Sequence, residues 1–203
     1  MSAGETPAKT KLSRLPESSW TNVQREAIAR SHTRPSNGTS LLLSGGPLPG
    51  KPKNEWHEIL LRQPGLLVTY AKFAQQLLYA GVVPEPLREI ATLRIAWLCQ
   101  ASYEWAAHVP MAIAVGVRKD QVDQIPVGPS AELWDDTERL VLQAVDELHT
   151  GARIADATWL GLSERLTEAQ LIELPFLVGS YQMLAFCLNS LDVYVDGMPL
   201  RSR

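Results

Sequence analysis

From about residue 54 onward the apolar residues of this chain recur at intervals of three and four, and no convincing stretch alternates apolar with polar. Apolar stripes of that period are buried by packing helix against helix. Asn54 is placed to cap a helix over 55–62. A second helix over 66–80 keeps Leu67, Tyr70, Ala74, Leu77 and Leu78 near one stripe, and Gly81 stops it. Pro84 and Pro86 open a helix running toward Cys99, and a further helix spans about 102–116. Over 135–150, Leu140, Val141, Ala144, Val145 and Leu148 share a face that Gly151 terminates. Asp156 is placed to cap a short helix to 162. Thr167 and Gln170 form a capping box for a last helix reaching about 191, which Pro175 and Gly179 should bend. With a short helix over 20–30, the expectation is an all-α, compact bundle of seven or eight helices.

The N-terminal quarter has a different texture. Residues 31–53 contain Pro35, Pro47, Pro49 and Pro52 together with Asn37, Gly38, Gly45, Gly46 and Gly50. That density of breakers predicts an irregular segment, and a stretch that long is either disordered or functional, for example an arm over a neighbouring subunit. The expected division is therefore an arm over 1–53, carrying one short helix, and a helical domain over 54–203.

With 203 residues and 45% hydrophobic content the chain can bury a sizeable core. Its net charge of −3 is spread rather than blocked, so no basic surface invites nucleic acid or an anionic membrane. No apolar run is expected to reach the length of a membrane span, and the polar N-terminus lacks a signal-peptide core. Cys99 and Cys187 form neither a C-x-x-C pair nor a metal-ligand spacing, and are read as free thiols in a reducing compartment. The expected location is cytoplasmic.

Chemistry-bearing residues concentrate in one apolar stretch, 88–108, which reads REIATLRIAWLCQASYEWAAH. Glu104 and His108 are four apart and share a helix face. With Ser102 as N-cap, Glu104 falls in the first turn, where the helix dipole favours a carboxylate. Glu89 lies on the preceding helix. Thirteen residues separate it from Ser102, about 20 Å along an ideal helix, so its contact with His108 requires a kink, a tilt or a shifted corner. Three readings stand on spacing alone: a proton-transfer site with His108 as general base or acid, two metal ligands without the rest of a site, or a helix-surface ion pair. Trp97 and Trp105 would supply apolar walls, or simply core. Arg94 would pair with a carboxylate such as Glu89, or bind an anionic group of a substrate. Pro110 should kink the helix just after His108. His149 ends a helix, and His32 and His57 lie in or near the arm with no partner visible.

The stretch resembles the carboxymuconolactone decarboxylase and alkylhydroperoxidase (AhpD-like) superfamily, most clearly over 87–116 and more loosely over 55–190. The peroxidase branch carries E-x11-C-x2-C-x3-H. Laid on it without gaps, Glu89 takes the glutamate, Ala101 and Glu104 the two cysteines and His108 the histidine. The resemblance implies that Glu89 and His108 meet, that the fold is all-helical, and that the chain assembles as trimers or hexamers. Both redox cysteines are replaced, so thiolate attack followed by disulfide formation cannot run as it does in that branch. The expectation is a cofactor-independent decarboxylase, lyase or isomerase for a small carboxylated or carbonyl-bearing ring compound such as a lactone acid, with no metal. His108 moves the proton, Glu104 and Glu89 orient it or act as the complementary acid, and Tyr103 donates to a developing enolate. The alternatives are a non-catalytic helical oligomer or partner-binding subunit held by a Glu/His/Arg network, and a thiol reductase using Cys99.

Overall fold

The structure is a computed structural model that describes residues 11–32, 55–195 and 200. Nine α-helices occur among them: α1 (Asn22–Ser31), α2 (Glu55–Leu60), α3 (Pro64–Tyr79), α4 (Glu85–Leu98), α5 (Ser102–Ala114), α6 (Lys119–Gln124), α7 (Asp136–Gly151), α8 (Asp156–Ser163) and α9 (Glu168–Ser190). No strand is present among the described residues. The expected all-α class holds, with one helix more than expected. The addition is α6, six largely polar residues that bury only Gln121 and Val122; so short an element carries no readable apolar period. The irregular segment expected over 31–53 lies, beyond His32, outside the described residues, as does the Asn54 cap.

Local chemistry sets most boundaries. Thr21, Asp135 and Thr167 each cap a helix through a box with Gln24, Glu138 and Gln170 respectively. Pro64 lies in the first turn of α3 instead of preceding it. Asp156 sits inside α8 and Ala155 is the N-cap. There Glu147 accepts from the Ala155 amide at 2.8 Å and from the Thr158 hydroxyl at 2.7 Å. Helices α4, α5 and α9 end alike, with Gln100, Gly116 and Asp192 at positive φ. The following amides of Ala101, Val117 and Val193 return to the carbonyls of Ala96, Ala112 and Leu188 at 2.9 Å, a Schellman closure.

Helix α4 is the axle of the bundle. Every residue from Arg88 to Ala96 is buried. One side, with Ala91 and Ile95, packs against Val141 and Val145 of α7 and Leu174, Leu177 and Val178 of α9. The other, with Ile90 and Leu93, packs against Trp105 and Ala112 of α5, then Val122, Ile125 and Trp134. Burial of that order, at roughly 25 cal/mol per Å² of apolar surface, is what holds charged residues of α4 in a place they would not choose. The start of α4 is fastened by another helix: the Glu173 carboxylate of α9 accepts from the Val82 and Val83 amides at 2.8 Å, and Gln170 donates to the Val82 carbonyl. Gly81 is required there, because a Cβ would lie 2.6 Å from Glu173 Oε1.

The expectation that no apolar run reaches membrane-spanning length fails for α9. Its 23 residues include a window of mean hydropathy 1.6, long and apolar enough to cross a membrane by composition, and 50% of that window is buried in the bundle.

Candidate active site

Glu89 is fully buried, and its two oxygens are both engaged. Oε2 faces Nδ1 of His108 at 2.8 Å and Oε1 accepts from Nε of Arg88 at 2.9 Å. The α4–α5 hairpin therefore closes the gap that an ideal helix length leaves open. Burial alone would raise the Glu89 carboxyl; the charge and hydrogen bonds of His108, then those of Arg88, outweigh it and hold the group below the usual carboxylate range. An ionised Glu89 requires a proton on Nδ1 of His108, which leaves Nε2 as the basic nitrogen. The Tyr181 ring meets the imidazole edge to face at 4.8 Å and fixes its plane.

Glu104 behaves in the opposite way. It is 2% exposed, and neither carboxyl oxygen has a hydrogen-bond partner. Ser102 is not its cap: Ala101 holds the N-cap position without a side-chain bond, and the Ser102 hydroxyl accepts from the Val195 amide. A first-turn position predicts that the helix dipole favours the carboxylate, but that effect is worth about 0.3–1 kcal/mol. Full burial can shift a carboxyl by about 3–5 pKa units, several times more. Burial prevails, and the Glu104 carboxyl is pushed well above its ordinary range. The helix-surface ion pair is thereby excluded, since Glu104 and His108 are both buried and His108 pairs with Glu89.

Glu104 and His108 open on one cavity of about 330 Å³. Tyr70 and Gln75 of α3, Tyr103 and Met111 of α5, and Tyr181 and Leu184 of α9 contribute to its wall. His32, at the end of α1, and His57, on α2, line it as well, with His32 Nε2 and His57 Nδ1 3.2 Å apart. Burial raises the phenols of Tyr70, which also bonds Ser180, and of Tyr181. These groups are hydrogen-bond donors at neutral pH, not bases.

Of the residues singled out in the sequence, Glu89, Glu104, His108 and Tyr103 are brought to this place, Glu89 behind the imidazole and the others on the wall. Arg94, Trp97 and Trp105 are not among the lining residues. Arg94 does not pair with Glu89; it grips Asp146 through Nε at 2.6 Å and Nη2 at 2.8 Å, and its Nη1 caps the carbonyls of Ile125 and Pro126. Trp105 packs against Trp97, ring centroids 5.7 Å apart and planes tilted by 58°, in the core on the far face of α4. Arg88 is the cation that Glu89 selects. Sequence reasoning gives no site role to Tyr70, Tyr181, His32 or His57. Among the described residues no group of three or more His, Cys, Asp or Glu is placed to hold a metal ion.

Residues 64–147 match the model of the carboxymuconolactone decarboxylase family, a span that contains Glu89, Glu104 and His108. A crystal structure from Agrobacterium tumefaciens, of a protein of unknown function described as a candidate antioxidant defence protein AhpD, shares the fold. Its TM-score is 0.62 at 13% identity, over 69% of this chain and 97% of that one. No curated protein matches the chain. The chain is thus similar to the carboxymuconolactone decarboxylase family over residues 64–147 and shares its fold with an AhpD-like structure.

Proposed function

We propose that this protein is a cofactor-independent proton-transfer enzyme, a decarboxylase or isomerase acting on a small carboxylated or carbonyl-bearing ring compound such as a lactone acid. The observation that carries this reading is the buried, unpartnered carboxyl of Glu104 on the same cavity as a His108 already oriented by Glu89. A structural network would satisfy its acids; here one acid is satisfied and the other is buried without a partner beside the cavity.

In decarboxylation the bond to the leaving carboxylate breaks and its electron pair moves into the adjacent carbonyl, forming an enolate as carbon dioxide departs. The neutral Glu104 carboxyl donates a hydrogen bond to that oxygen, assisted by Tyr103. Nε2 of His108, protonated from solvent, then delivers the proton to carbon. In isomerisation the same nitrogen takes a proton beside the carbonyl and returns it elsewhere. The thiol reading has less support: burial pushes the Cys99 thiol up to about 11, and neither Cys99 nor Cys187 lines the cavity.

We propose further that the chain is a homo-oligomer. Ile172, Phe176, Met183 and Phe186 are exposed along α9 at spacings of four, seven and three, with Gly179 between. This is the pattern of a helix seam that packs against another surface.

The test is a panel of lactone acids and keto acids, followed by carbon dioxide release and by proton–deuterium exchange beside the carbonyl in D2O. At least one member should turn over, and His108→Gln should abolish it. Full turnover by folded His108→Gln on a genuine substrate overturns the proposal.

A further inference from the structure

The cavity has two chemically different sides. Glu104 and His108 come from α5, inside the family-matched span of 64–147. His32 and His57 come from α1 and α2, which lie outside it. Their rings approach with centroids 5.2 Å apart and an Nε2–Nδ1 separation of 3.2 Å. His57 is buried, whereas His32 is open to solvent. The approach is built: the end of α1 is fastened to α3 by the Gln75 amide, which donates to the Ser31 carbonyl, and Gln24 of α1 donates to the Leu61 carbonyl just after α2.

We infer that His32 and His57 form the anion-binding wall of this cavity and anchor a substrate carboxylate that does not react, while the reacting carbon lies against His108 and Glu104. The inference rests on the proton-transfer reading for what happens at the far wall, but not for the binding itself. Imidazole N–H groups donate to a carboxylate, and an imidazole that carries a second proton pairs with it as a cation. The other cations close to the site are withheld from the cavity. Arg88 is behind Glu89 and already committed to it, and Arg94 is locked to Asp146. On the α5 side a bound carboxylate would instead lie toward the ionised Glu89 behind His108, where like charges repel. The titratable groups that face the histidine pair around the cavity are Tyr70, Tyr79, Tyr103, Tyr181, Glu104 and His108. Burial holds Tyr70 and Tyr181 in their neutral form. A cavity of about 330 Å³ accommodates a single substituted ring with acidic and carbonyl groups at opposite edges.

The experiment uses benzoate and its neutral isostere benzamide as probes, titrated calorimetrically into the full chain at pH 6.5. Wild type should bind benzoate about tenfold or more tightly than benzamide, the order expected for a charge-assisted hydrogen bond. His32→Gln and His57→Gln should each remove most of that preference and leave benzamide unchanged, whereas His108→Gln should retain it. The solvent-exposed His32→Gln variant keeps the test valid if His57→Gln unfolds. Equal affinity of the wild type for both probes, no binding of benzoate, or a preference that survives His32→Gln and vanishes in His108→Gln would each overturn the assignment. None of these outcomes reads turnover, so the catalytic proposal stands or falls separately on its own panel.

Discussion

Oε2 of Glu89 and Nδ1 of His108 lie 2.8 Å apart although nineteen positions separate them, and Oε1 of the same carboxylate is held by Arg88. One buried acid thus neutralises a guanidinium and fixes an imidazole tautomer. Glu89→Gln keeps the shape but presents an amide where two acceptors are needed. Turnover should fall by about 10²–10⁴. Leaving Arg88 buried without its carboxylate should destabilise the fold by roughly 3–5 kcal/mol. Urea melts read the second effect and steady-state kinetics the first; an unchanged melt would contradict the buried pairing.

The two glutamates predict opposite pH dependences. Glu89 is held below its ordinary range, so its contribution is fully present above the unfolded-state value of about 4.3 and is lost as pH falls through the lower folded value. Glu104 is held well above that range. Its proton stays on the folded chain and leaves the unfolded one, so stability declines from about pH 4.3 upward, at about 1.4 kcal/mol per pH unit, until the folded group ionises. Glu104→Gln should remove that decline and be more stable than wild type at pH 8, while losing turnover. Denaturation midpoints from pH 5 to 8 for the two proteins, converging instead of diverging, would refute it.

Arg94 should prove structural. Arg94→Met strands Asp146 and two backbone carbonyls, at a cost of roughly 3–5 kcal/mol. It should leave KM unchanged once the protein is assayed below its lowered melting point. Gly128→Ala should weaken the same place by about 1–3 kcal/mol. Its φ is +81°, and the added carbon would meet Nη2 of Arg94 at 2.5 Å. A rise in KM for either variant would return Arg94 to the substrate.

Cys99→Ser and Cys187→Ser should both retain activity within about twofold. Burial raises both thiols, Cys99 to about 11, so iodoacetamide at pH 8 should label the folded chain slowly. Rapid labelling together with loss of turnover in Cys99→Ser would favour the thiol reading.

Light scattering should give a mass of three or six chains for the wild type. Phe176→Lys combined with Phe186→Lys should reduce it, because both side chains are exposed on one face of α9. A monomeric wild type would refute the assembly.

Much of this architecture is legible in the residues themselves. The helices with capping boxes or strong apolar periods, α1, α7 and α9, lie close to where their patterns place them, and the family spacing picks out Glu89, Glu104 and His108 together. What escapes depends on contacts distant in sequence. Arg94 has a carboxylate five positions away in Glu89, yet its partner is Asp146, 52 positions along the chain, and no local pattern announces that pairing. The state of Glu104 is misread from sequence because first-turn position is local whereas burial by neighbouring helices is not. His32 and His57 face each other across 25 positions, joined by the segment least patterned in the chain.

The Glu173 clasp makes the last helix a guarantor of the fourth. Because the amides of Val82 and Val83 have their acceptor on α9, they can surrender their hydrogens to heavy water only when that helix lifts. Two exchange rates therefore gauge the seating of α9, and with it the Tyr181 ring that braces the imidazole, without any substrate in hand.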